Sequence, residues 1–158
     1  GFESLVDPDH ISFANPESMT DTIRLFCQNT GQKAPSTDAE FVRCIFDSLA
    51  LKYRYVLESL QKLSPFAIEK LHVIGGGSQN KLLNQATANS IGISVIAGPC
   101  EATAIGNIMM QAQGVGLVDS LQEIRTIVRN SVELEIYQPQ DTEVRSEAYK
   151  RFIKYIKK

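Results

Sequence analysis

The sequence predicts an α/β fold that is rich in helix and holds only a small parallel sheet. Three observations carry that class. Two short apolar runs, one through Leu71, Val73 and Ile74 and one over 93–96, are dominated by β-branched residues and end in glycine turns, as buried strands do. Each is followed by a helix-forming stretch, and a right-handed crossover between such units lays the strands parallel. Elsewhere the apolar residues recur at the three- and four-residue spacing of helices packed on one face.

Residues 1–16 read as a looping entry, punctuated by the turn formers Asp7-Pro8-Asp9 and Asn15-Pro16, with His10 a lone surface residue. A helix is predicted over 17–29, burying Met19, Ile23, Phe26 and Cys27, and Gly31 ends it as a C′ residue. Thr37 and Glu40 form a capping box for a long helix over 38–63. Its expected apolar stripe is Phe41, Ile45, Leu49, Tyr53, Val56, Leu57 and Leu60. Arg43, Lys52 and Arg54 read as solvated charges beside Asp47 and Glu58.

His72 lies on the first strand, on the sheet face or in the core. Ser78 is expected to cap a helix over 79–90, and Glu101 to sit in the first turn of a helix through Met110. The small residues Ala102, Ala104 and Gly106 suit either tight packing under a neighbouring element or a pivot beside a ligand. Gly114-Val115-Gly116 stops that helix, and Ser120 with Glu123 caps another that reaches Arg129. Residues 130–140 read as irregular. A last helix is expected from Asp141, burying Val144, Ala148, Phe152, Tyr155 and Ile156.

The 158 residues fit one domain, and 43% apolar with 22% charged residues is an ordinary globular balance. A net charge of −2 leaves no electrostatic footprint for nucleic acid. The basic cluster Lys150, Arg151, Lys154, Lys157 and Lys158 reads as a solvated helix end. No apolar run approaches the roughly 18 residues of a membrane span, and GFESLV lacks the features of a leader, so a cytoplasmic protein without a membrane partner is expected. Cys27, Cys44 and Cys100 lack metal-site spacing. They are expected as reduced thiols, with a Cys27–Cys44 disulfide as the alternative, since a helical hairpin can bring those two together.

Gly75, Gly76 and Gly77 end the first strand without a Cβ among them, so another molecule can approach the main chain and φ > 0 is open. Asn80 is placed to reach the space above them. A purine could lie on such a backbone while the amide bonds its edge or sugar. A plain tight turn accounts for three glycines equally well. No Gly-Lys-Ser/Thr follows, and the spacing is not that of a dinucleotide fingerprint.

The run HVIGGGSQNKLLNQATANSIGISVIAGPCEATAIGN resembles the C-terminal domain of the FGGY family of carbohydrate kinases, as do SFANPESMTDTIRLFCQNTGQKAP and EFVRCIFDSLALKYRYVLESL. The similarity extends over about 7–155 and is strongest to members that phosphorylate L-rhamnulose. It implies the C-terminal part of an actin-like, ribonuclease H-like ATPase domain, of the superfamily that includes sugar kinases, hexokinase and actin. In such kinases ATP or ADP binds with magnesium, and the resemblance places Gly76, Gly77 and Asn80 in the nucleotide pocket. The N-terminal kinase domain, the sugar site and the catalytic base lie upstream in the family, so no catalytic or metal-binding residue is expected in this chain. Gly1 is then expected to be a boundary within a longer reading frame, and the chain alone to be inactive. With a sheet edge uncovered it is also expected to self-associate. A non-catalytic nucleotide-binding or assembly module, or a kinase of xylulose, fuculose or glycerol, stands as the alternative.

Overall fold

The computed structural model of the chain describes residues 2–140 and 142–156. A short 3-10 turn at Ile11–Phe13 leads to helix α1 (Met19–Asn29) and the long helix α2 (Asp38–Leu63). Strand β1 (Lys70–Val73), a second 3-10 turn (Gly76–Gln79), helix α3 (Lys81–Ile91) and strand β2 (Ser94–Ala97) follow. Helices α4 (Ala102–Gly114) and α5 (Leu121–Ser131), strand β3 (Glu135–Tyr137) and helix α6 (Thr142–Ile156) complete the order. The helix start assigned to Asp141, and the basic residues Lys157 and Lys158, lie outside the described residues.

The helices begin where their side chains can satisfy the first free N–H groups. At α2 both halves of the box form: Thr37 Oγ1 accepts from the Glu40 amide at 3.3 Å, and Glu40 Oε2 accepts from the Thr37 amide at 3.2 Å. The Ser36 hydroxyl and the Ser36 and Thr37 amides all bond the Glu40 carboxylate, which holds its pKa down at about 2. Ser18 caps α1 by accepting from the Asp21 amide, and Ser120 caps α5 by accepting from the Glu123 amide.

The sheet has the order β1-β2-β3. Strands β1 and β2 are parallel, with Lys70 opposite Ser94 and Val73 opposite Ala97. The expectation of a wholly parallel sheet is corrected by β3, which pairs antiparallel to β2 with Val95 opposite Tyr137 and Ala97 opposite Glu135. This strand comes from the segment read as irregular. Three residues are too few to display an alternating pattern, and what makes them a strand is the free edge of β2, whose N–H and C=O groups need partners. β1 remains an end strand, and His72 is exposed on it.

Helix α2 is the element on which the core is assembled. Its Leu51 belongs to a cluster with Phe2, Leu5, Ala148, Tyr149 and Phe152, which seats α6. Its Phe41 and Cys44 belong to a second cluster with Val6, Ile23, Phe26 and Cys27, which seats α1. The third neighbour is α3, whose buried residues are short: Ala86, Thr87, Ala88 and Ser90 let the two helices come close. The buried stripe of α2 is therefore rotated and shortened relative to the expected one. Cys44, Asp47, Ser48 and Ala50 are inside, whereas Tyr53, Val56 and Leu60 are exposed and Leu63 is 84% exposed.

Cys27 and Cys44 are free thiols, as expected, and the alternative of a disulfide between them is not realised. The helical hairpin does bring them together, and they are hydrogen-bond neighbours inside the apolar cluster. That bond, with burial, pushes the Cys44 thiol up, away from the reactive thiolate.

Charges expected to be solvated instead hold the core together. Asp47 is 1% exposed. Its carboxylate accepts from Arg43 Nε at 2.9 Å and from the Phe2 amide at 3.2 Å, and it lies 3.9 Å from Arg145 of α6. Lys52 pairs with Asp7 at 2.8 Å and Asp9 at 2.9 Å, fastening the entry loop to α2. Arg54 pairs with Glu58 at 2.9 Å and lies over the Tyr149 ring, whose hydroxyl donates to the same Glu58, so this pair too fastens α6 to α2.

Helix α4 contains no buried residue. Ala104 and Gly106 are exposed, so neither role foreseen for its small residues is met by an element described here. Ile108, Met110, Leu117 and Leu121 are also exposed, which makes one flank of the molecule apolar and uncovered.

Replacing Asp47 by Ala strips Arg145 of a buried partner and is expected to cost about 3 kcal/mol in chemical denaturation. Removing the exposed Asp21 of the Asp21–Arg24 pair should leave the denaturation midpoint unchanged, and equal effects of the two would refute the role given to Asp47.

Candidate functional site

Because β1 and β2 are parallel, their C-terminal ends leave the sheet side by side, and in open α/β sheets ligands bind outside those ends. The pairing continues past both strands. The Gly98 amide donates to the Val73 carbonyl at 2.8 Å, and the Gly75 amide donates to the Pro99 carbonyl at 3.1 Å. The two strand-end loops are thereby held as one unit.

The glycines of this unit are present for different reasons. Gly75 has φ 74° and ψ −163°, a conformation that side-chain-bearing residues scarcely enter. Gly98 has φ 109°, and a Cβ there would lie 3.3 Å from both the Glu133 carbonyl oxygen and the Leu134 side chain. Gly76 and Gly77 are under no such demand. Both are exposed, a Cβ on Gly76 meets nothing within 4 Å, and one on Gly77 meets only Val73 at 3.9 Å. The fold requires glycine at Gly75 and Gly98 but not at Gly76.

The turn over Gly76–Gln79 is tightly tied. The Ser78 amide donates to the Gly75 carbonyl at 3.0 Å and the Ser78 hydroxyl donates to the same oxygen at 2.7 Å. Ser78 is thus buried inside the turn and is not the helix cap expected of it. That role falls to Asn80, whose Oδ1 accepts from the Leu83 amide at 3.0 Å, because the intervening 3-10 turn moves the start of α3 to Lys81. Asn80 is half-buried next to the glycine turn, with its side-chain carbonyl oxygen engaged in the cap.

Two features here escaped sequence reasoning. Asn84 is 2% exposed and its Nδ2 donates to the Ser78 carbonyl at 2.8 Å. The signal that could have found it is the Asn80–Asn84 spacing of one helical turn. The second feature joins distant segments: Lys81 Nζ lies 2.6 Å from Glu135 Oε1, and the Tyr137 hydroxyl donates to the same carboxylate. Lys81 holds the Glu135 carboxyl below its usual range, and Glu135 holds the Lys81 ammonium above its own. Burial, aided by Glu135, pushes the Tyr137 phenol up.

The unit therefore offers exposed main chain and an amide, bordered by Cys100 and the exposed Glu101 at the start of α4. Among the described residues no group of three or more His, Cys, Asp or Glu side chains is placed to hold a metal.

The model of the C-terminal domain of the FGGY family of carbohydrate kinases matches residues 2–115, which contain both strand-end loops and α1 through α4. The chain belongs to the FGGY family. It is 54% identical over 151 residues to a rhamnulokinase of Bacteroides thetaiotaomicron, covering 96% of this chain and 31% of that protein. A rhamnulokinase of Pectobacterium atrosepticum is 46% identical over 138 residues, covering 87% of this chain and 28% of the relative. The chain thus spans about a third of the length of these FGGY relatives. A solved xylulose kinase from Rhodospirillum rubrum superposes with a TM-score of 0.59 at 21% identity, over 78% of this chain and 25% of the other. A ligand-bound xylulose kinase from Lactobacillus acidophilus gives 0.56 at 16% identity, over 81% of this chain and 24% of the other. At those identities the two structures speak to the FGGY fold alone.

Gly98→Ala is expected to lower stability by about 2 kcal/mol, through strain at positive φ and overlap with the 133–134 segment. Gly76→Ala should stay within about 0.5 kcal/mol of the parent in thermal unfolding. A large loss at Gly76 would mean that the fold, after all, demands a glycine there.

Proposed function

We propose that this chain is the C-terminal, nucleotide-binding part of a rhamnulokinase, an enzyme that transfers the γ-phosphate of ATP to L-rhamnulose and yields L-rhamnulose 1-phosphate. The observation that carries the reading is the exposed, sterically unconstrained pair Gly76 and Gly77 at the C-terminal end of a parallel strand. A purine can rest on that main chain without displacing a side chain, and the Asn80 NH2 can donate to an acceptor on the base or ribose. The 54% identity to a named rhamnulokinase, over nearly the whole chain, supports the choice of sugar.

In this reading the chain's task is positioning. It holds ATP or ADP by one wall while the sugar site and the catalytic base come from the part of the enzyme outside this chain. Magnesium accompanies the nucleotide, held chiefly by the phosphates and water, and in this reading its protein ligands belong to the part of the enzyme outside this chain. The isolated chain is accordingly inactive. No described helix is long and apolar enough to cross a membrane, in keeping with a cytoplasmic sugar kinase. On its own the chain would self-associate through the open edge of β1 and the apolar flank of α4.

In the full-length enzyme Gly76→Val is expected to raise the Kd for ATP about ten-fold or more, as titration calorimetry would read, with L-rhamnulose affinity nearly unchanged. Equal loss of both would count against the nucleotide assignment, and a coupled assay in which xylulose or glycerol outperforms L-rhamnulose would overturn the sugar. For the isolated chain, light scattering should report species larger than a monomer; a monodisperse monomer at high concentration contradicts self-association.

A further inference from the structure

Resting on the nucleotide reading above, we propose that Asn84 is a positioning residue of that site, whose side-chain amide holds the glycine turn in its binding shape. Glycines have more backbone freedom than any other residue, so the exposed pair Gly76 and Gly77 can offer a fixed surface only if the turn is clamped from outside. The clamp at its start is the Gly75 amide on the Pro99 carbonyl, at 3.1 Å. The clamp at its end is Ser78, which is anchored twice.

One anchor of Ser78 is its own hydroxyl on the Gly75 carbonyl, at 2.7 Å. The other is the Asn84 amide on the Ser78 carbonyl, at 2.8 Å. That carbonyl stands ahead of the helical ladder of α3, so no amide of the helix interior is assigned to it, and a buried carbonyl needs a donor. Asn84 lies among the buried residues Ala86, Thr87 and Ala88 on its helix, where an apolar residue would otherwise be expected. At the start of the same helix Lys81, next to the cap, pairs with Glu135, which also accepts from the Tyr137 hydroxyl of β3. Asn84 therefore ties the turn to its own helix while the Lys81–Glu135 pair ties that helix to β3, and the turn meets the nucleotide already shaped rather than being ordered by it.

The test uses the full-length enzyme. Asn84→Asp keeps the size of the side chain and removes the donor. It is expected to raise KM for ATP about ten-fold while KM for the sugar stays within about two-fold. Ser90→Ala is the structural control: Ser90 is 3% exposed on the same helix and accepts from Arg145 at 3.2 Å, away from the turn. It should lower Tm and leave KM for ATP unchanged. An Asn84→Asp enzyme that loses only Tm, or loses affinity for both substrates alike, overturns the proposal. Should that variant fail to fold, Ser78→Ala loosens the same clamp at its other anchor, and an unchanged KM for ATP there overturns it equally. If Gly76→Val also leaves ATP binding intact, the nucleotide reading falls; if Gly76→Val weakens ATP and Asn84→Asp does not, only the role of Asn84 falls.

Discussion

The parallel pairing of β1 with β2, carried one hydrogen bond beyond each strand, is the constraint from which the arrangement of the glycine loops follows. Gly98 donating to Val73 and Gly75 donating to Pro99 turn two independent loop ends into one rigid edge. The positive φ of Gly75 and Gly98 is the conformational condition for those bonds, since both residues must bend the chain sharply as it leaves the sheet. The close approach of Glu133 and Leu134 to Gly98 then brings in β3, which completes β2 on its other side. Loosening any one of these contacts frees the loops that present Gly76 and Gly77.

The helices support this edge from behind. Helix α2 holds two apolar clusters on its flanks, and Asp47 at its centre joins the chain's entry segment to α6 through polar bonds in a water-poor setting. Such a buried carboxylate contributes little net stability when paired, but it penalises every arrangement in which its partners are elsewhere. Short side chains on α3 allow it to lie close against α2, and α3 in turn carries Asn80 and Asn84 to the glycine turn. The path from core to site is therefore short: α2, α3, then the turn.

The uncovered surfaces share one character. Helix α4 and the distal part of α2 expose apolar side chains, and β1 is an end strand. They belong to a chain that spans about a third of the length of its rhamnulokinase relatives. On the proposed reading, the exposed main chain of Gly76 and Gly77 forms one wall of a nucleotide pocket.

Much of this was legible in the sequence because it is written locally. The capping box of Thr37 and Glu40, the helical spacings, the two β-branched strands and the glycine break all depend on groups within a few residues of one another. The same reading, with its family resemblance, singled out Gly76, Gly77 and Asn80 for the turn. What only the tertiary structure decided depends on partners far along the chain. β3 exists because β2 has an edge to fill, Asp47 is buried because α6 and Phe2 close over it, and Cys27 and Cys44 meet as thiols inside an apolar cluster. Ser78 turns its hydroxyl onto the Gly75 carbonyl and leaves the cap to Asn80, and the buried Asn84 amide donates to the Ser78 carbonyl. Sequence spacing specifies what a residue can bond to nearby, whereas burial, which depends on the whole fold, decides which of those bonds it must make.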